Sequence, residues 1–113
     1  MRPISIQIAH AVAAQLDAQK EYFRKREPGE TGKTLAARFE EAVNAQIASL
    51  DNFPERGAIF RFRRYSREPV RWLGIAGFPR YLLFYRYSPS ERRVRVINLR
   101  HSSMDNEAML QEG

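Results

Sequence analysis

Residues 4–8 read Ile-Ser-Ile-Gln-Ile, a strict alternation that predicts a short strand with one buried face. From residue 9 to 26 the period changes. Val12, Leu16 and Phe23 stand at helical spacing with Ala9 and Ala13 beside them. Gln15, Asp17, Lys20, Glu21, Arg24 and Lys25 cover the other side, which predicts an amphipathic helix. Pro28-Gly29 ends it, because proline cannot continue a helix and glycine suits the exit turn. Residues 27–33 are expected to form a turn, with Thr31 or Thr34 capping the next helix. Leu35, Phe39, Val43, Ile47 and Leu50 then repeat every three or four residues, which predicts a second helix to about Leu50. Two helices with a short joint should pack as an antiparallel hairpin.

Beyond Asp51-Asn52-Phe53-Pro54-Glu55-Arg56-Gly57 the pattern is β. Val70–Ile75 reads as a strand, Gly77-Phe78-Pro79 as a turn and Arg80–Tyr87 as a strand apolar on both faces. Residues 88–92 read as a hairpin loop and Val94–His101 as a last strand. Ser102 to Gly113 is polar and expected to fray or form a short helix. The predicted order is β-α-α-β-β-β. That is an α+β fold in one domain over 1–113: an N-terminal strand and an antiparallel two-helix hairpin (about 9–50) packed on a small antiparallel sheet (about 59–101). In Arg80–Tyr87 the alternation separates Leu82, Phe84 and Arg86 from Tyr81, Leu83, Tyr85 and Tyr87. Leu82 and Phe84 are expected to face the helices, leaving Tyr85 and Tyr87 on an open face.

Composition adds exclusions. At 113 residues with 43% hydrophobic content, this is one ordinary globular domain. The absence of Cys removes disulfides, thiolate zinc sites and cysteine nucleophiles. His10 and His101 have no metal-ligand spacing, and Gly29-Glu-Thr-Gly32-Lys-Thr places its glycines too close for a phosphate loop. No carboxylate pair suggests acid–base hydrolysis, so no metal or cofactor is expected. No apolar run is long enough for a membrane span or a signal core, and a cytoplasmic location is expected.

The net charge of +6 is placed unevenly. Residues 1–57 carry 8 basic and 8 acidic residues, whereas 58–113 carry 11 basic and 5 acidic ones. Every basic residue after Arg56 is Arg, the side chain suited to bidentate carboxylate or phosphate contacts. Arg61, Arg63 and Arg64 lead into the predicted sheet. Arg71, Arg80, Arg86, Arg93, Arg95 and Arg100 lie on or beside its strands, interleaved with Tyr65, Trp72, Tyr81, Tyr85 and Tyr87. Arginine with stacking aromatics is a pairing used for single-stranded RNA. Aromatics in strands are more often packed, and Trp72 is expected to lie under a loop.

Three segments together resemble the RelE/ParE superfamily of bacterial toxins, and most closely its ParE branch. They are Leu50-Asp-Asn-Phe53-Pro54-Glu55-Arg56-Gly57, Phe78-Pro-Arg80-Tyr81-Leu82-Leu83-Phe84-Tyr85-Arg86-Tyr87, and Val94-Arg-Val96-Ile97-Asn-Leu99-Arg-His101. The resemblance implies the toxin of a type II toxin–antitoxin, or plasmid-stabilisation, module, neutralised by a cognate antitoxin and causing growth arrest when free. ParE-like members are associated with inhibition of DNA gyrase by binding. RelE-like members cut messenger RNA in the ribosome. For that chemistry Arg61, Arg80 and Arg86 would supply cations, and His101 or Tyr85 would move the proton. The RelE-like equipment is thin: no Lys follows Lys33 and no Tyr follows Tyr87. Many ParE-like members read His-x-x-Arg-Asp where this chain has Met104 in the Arg position. A gyrase-binding toxin is therefore the leading expectation, with an endoribonuclease second and a member that only binds its antitoxin third. Arg63, Arg64, Arg71, Arg80, Arg86, Arg95 and Arg100 are the expected contacts to target or antitoxin. His101 is equally expected to be a strand-end residue bonded to nearby backbone.

Overall fold

A computed structural model of the chain describes residues 3–60, with backbone only at Phe60, and residues 69–102. Its elements are β1 (Ser5–Ile8), α1 (His10–Arg26), α2 (Glu30–Ser49), β2 (Ala58–Phe60), β3 (Val70–Ile75), β4 (Phe78–Ser88) and β5 (Arg93–His101). The sheet runs β1-β5-β4-β3-β2. The strands from β2 to β5 pair antiparallel, as expected. β1 lies parallel to β5, so the sheet is mixed rather than wholly antiparallel. Parallel neighbours need a long connection to bring the chain back in the same direction, and β1 is far from β5 in sequence. β2 is a fifth strand that the sequence pattern did not mark, because three residues are too few for a period.

The helices form the expected antiparallel hairpin. Lys20 faces Glu40 and Phe23 packs on Phe39, while the carbonyl of Glu27 reaches Gly32. Their joint is much shorter than the predicted turn. α2 begins at Glu30, and Gly29 at φ 80° makes the reversal that an L-residue would resist. No side chain caps α2, so neither threonine plays the expected role. Gly32 belongs to the helix. A Cβ there would stand 1.9 Å from the carbonyl oxygen of Glu27 and 2.9 Å from that of Phe23. The glycine marks a close helix crossing, not a loop.

The β3–β4 turn falls at Ala76-Gly77, with Gly77 at φ 83°, so Phe78 and Pro79 belong to β4. Register passes from Gly74↔Leu82 directly to Ile75↔Phe78, which leaves Pro79 in an irregularity where its missing N–H costs no ladder bond.

The two faces of β4 are reversed from expectation. Tyr81, Leu83 and Tyr85 join Val12, Phe23, Phe39, Val43, Ile47 and Leu50 in the main core, with Tyr87 packed against it. Phe84 instead joins Val70 in a small cluster on the other face, with Leu82 and Ile97 beside it. Alternation separates the two sets but cannot say which one meets the helices when both are apolar. The tyrosines face inward because their hydroxyls find partners there. Tyr81 donates to Gln19 Oε1 at 2.9 Å, and Tyr85 accepts the Gly57 N–H at 2.9 Å. Phe39 is fully buried, with ring centroids of Phe23, Phe78 and Tyr81 at 5.3, 5.0 and 4.8 Å. Past Val96, where β1 no longer pairs, Gln15 of α1 takes over. Its Oε1 accepts the Leu99 N–H at 2.8 Å and its Nε2 donates to Asn98 Oδ1 at 3.0 Å.

Candidate functional site: a basic face of the sheet

The sheet has a helix side and an outer side, and β alternation assigns each predicted site residue to one of them. Val70, Trp72 and Gly74 of β3 pair with Arg86, Phe84 and Leu82 of β4. Leu82, Phe84 and Arg86 pair in turn with Arg100, Asn98 and Arg95 of β5. Arg86, Arg95 and Arg100 therefore share the outer face with the Val70–Phe84 cluster. Arg95 is exposed, and Arg86 and Arg100 are half-buried. β3, β4 and β5 contain no Asp or Glu at all. Arg93 pairs with Glu91 of the preceding loop at 2.9 Å. Arg80 is exposed near the start of β4.

Arg71 faces the other way. It pairs with Tyr85 in register, and its guanidinium donates to the carbonyl oxygens of Glu55 and Gly57, both at 3.0 Å. It ties the 51–57 loop to the sheet. Arg61, Arg63, Arg64 and Met104 lie outside the described residues.

The proton-transfer candidates are on the helix side. Tyr85 is fully buried, and burial pushes its phenol above the ordinary value of 10.0, against the opposing Gly57 hydrogen bond and the nearby Arg71 and Arg56. His101 pairs with Tyr81, and the two rings meet edge to face at 5.2 Å. The fold thus places Tyr85 and His101 on one side of β4 and β5 and Arg86 on the other.

Two features were not picked out as surface residues from the sequence. Trp72, expected under a loop, is 36% exposed on the outer face beside Phe84. Its alternation with Val70 and Gly74 was the available signal. Phe53 is 66% exposed at the tip of the 51–57 loop, and no periodicity exists there to reveal it. Among the described residues, no three His, Asp or Glu side chains converge on a metal-binding arrangement. None of the described helices is long and apolar enough to cross a membrane.

A two-helix hairpin on one side of a five-stranded mixed sheet, with an arginine-bearing face on the other, defines a small two-layer α+β domain. The family model described as the ParE toxin of the type II toxin–antitoxin system parDE matches residues 6–106. The chain belongs to that toxin family. Among solved structures it is similar to a chain of the chromosomal ParDE toxin–antitoxin system from P. aeruginosa. The TM-score is 0.64 at 16% identity, covering 87% of this chain and 95% of that one. It is also similar to a chain of the archaeal RelE–RelB complex from Pyrococcus horikoshii OT3. There the TM-score is 0.50 at 14% identity, covering 89% and 97%. At these identities the likeness is one of fold. No curated protein matches the chain in sequence.

Proposed function

We propose that this chain is the toxin of a type II toxin–antitoxin module, held inactive by a cognate antitoxin, and that it acts by binding DNA gyrase rather than by cutting RNA. The toxin family and the two complexes to which the fold is similar support the antitoxin as partner. One observation favours binding over catalysis. RNA cleavage needs a base, an acid and a phosphate-holding cation within hydrogen-bond reach of one phosphate. Here Arg86 stands across the sheet from Tyr85 and His101, and Tyr85 is sealed in the core with its hydroxyl occupied by Gly57. Gyrase as the target rests on the ParE branch alone.

The test is expression without the cognate antitoxin, taken as the product of the neighbouring reading frame, followed by assays on purified protein. A gyrase-binding toxin arrests growth, blocks supercoiling and leaves cleaved DNA complexes. Depletion of messenger RNA that His101→Ala and Arg86→Ala abolish would sink the reading in favour of the endoribonuclease. Normal growth would leave a member that only binds its antitoxin.

A further inference from the structure

Arg86 and Arg95 stand directly opposite each other across β4 and β5 on the outer face. Side chains so placed have Cβ atoms about 4.5–5.5 Å apart, and like charges at that separation repel. The usual remedy is a carboxylate between them. None of β3, β4 or β5 offers one, and neither arginine has an ion pair among the described residues. Among the described residues, the Arg86 Nε is moreover buried with no hydrogen-bond partner. Next to this pair the same face carries half-buried Leu82 and Ile97 and the 36% exposed indole of Trp72.

We propose that Arg86 and Arg95 form a clamp for one carboxylate of an extended acidic segment of a protein partner. The clamp rests on the toxin–antitoxin reading and names which kind of side chain the partner brings. Two guanidinium forks can grip one carboxylate with parallel N–H···O bonds, which a phosphate would also accept. The adjoining apolar residues distinguish the two. Leu82, Ile97 and Trp72 suit apolar side chains that follow the acid at the alternate positions of an extended chain, about 6–7 Å apart. A phosphodiester backbone repeats its charge along its whole length and offers no such apolar partner.

The experiment uses the full chain with three probes: the protein encoded by the neighbouring reading frame, a synthetic peptide repeating Glu-Ser-Leu-Ser, which puts Glu and Leu on one face of an extended strand, and a single-stranded RNA oligonucleotide. Binding is measured at low and physiological salt for the parent chain and for Arg86→Gln/Arg95→Gln. The clamp predicts binding of the peptide by the parent chain. The variant should bind the protein and the peptide at least about tenfold more weakly, with a shallower salt dependence. Its thermal midpoint should be equal or higher, since the cross-strand repulsion is gone; this separates lost recognition from lost folding. Arg86→Lys/Arg95→Lys keeps the charge but not the forks, and should recover only part of the affinity. Variant binding within about twofold of the parent overturns the clamp, as does a parent chain that ignores the peptide. Loss confined to a single-stranded RNA oligonucleotide, with protein binding intact, overturns it in favour of a phosphate site. If the neighbouring protein does not bind the parent chain, the toxin–antitoxin reading fails, while the peptide arm still decides the clamp.

Discussion

The backbone N–H of Gly57 donates to the hydroxyl of Tyr85 at 2.9 Å, joining the loop after α2 to the centre of β4. Both residues are buried, so neither group has water as an alternative. Tyr85→Phe removes the acceptor and leaves a buried N–H unsatisfied. The expected cost is about 1–3 kcal/mol in urea unfolding. Toxicity should fall only as far as stability does, because the phenol is out of reach of any substrate. A total loss of toxicity in a folded Tyr85→Phe chain would contradict this placement.

The same phenol sets a sign for pH dependence. Burial raises the Tyr85 phenol, and that of Tyr81, above the ordinary value of 10.0. A raised pKa means that the folded state holds its proton longer than the unfolded chain does. The resulting stability is complete below about pH 10 and is lost as pH rises through the folded-state values. Unfolding followed from neutral to strongly alkaline pH should show this fall. Tyr85→Phe should make it shallower, and no change in slope would count against the buried phenol as its source.

Gly57 has little room for a side chain. A Cβ would stand 2.7 Å from the Tyr85 hydroxyl and 2.9 Å from the carbonyl oxygen of Trp72. The second of these is backbone and cannot swing aside. Gly57→Ala is expected to lose about 1–3 kcal/mol, measured by denaturant midpoint, with Tyr85→Phe partly relieving the strain in the double variant.

Gly32 tests helix propensity against packing. Alanine is better than glycine inside a helix by about 1 kcal/mol, so propensity alone makes Gly32→Ala stabilising. The Cβ at 1.9 Å from the Glu27 carbonyl oxygen reverses that expectation, because α1 would have to move away from α2. A net loss of about 1–3 kcal/mol is expected. A higher melting point for Gly32→Ala would show that the crossing is loose.

Arg71 separates holding a loop from binding a partner. Its guanidinium donates to the carbonyl oxygens of Glu55 and Gly57. Arg71→Lys keeps the charge but cannot reproduce both bonds, and should cost about 1 kcal/mol or more. Faster hydrogen exchange is expected in residues 51–57. Affinity for the partner should change less than in the Arg86/Arg95 variants. A large affinity loss with unchanged exchange would move Arg71 to the binding face.

Much of this architecture is legible in one dimension. The spacing of Leu35, Phe39, Val43, Ile47 and Leu50 needs only the helical period, and all but Leu35 are buried. The alternation of β4 and β5 likewise predicts strands whatever they pack against. The arginine-rich second half is visible as composition, and the motifs around Phe53, Phe78 and Val94 carry the family resemblance.

What the sequence by itself determined was therefore each element's type and order, the hairpin, the toxin family and the charge of the sheet. Tertiary structure alone decided which face of the sheet met the helices, how β1 joined it, and that Gly32 lay at a crossing and not in a turn. The reason is physical. Periodicity reports that a side chain has a preferred side, but it does not identify the surface on that side. Tyr85 and Phe84 are equally apolar to a pattern. Only the arrangement of Gly57, Gln19 and the helix core, which offers the inner tyrosines partners for their hydroxyls, sends them inward and leaves Arg86 facing out beside Arg95.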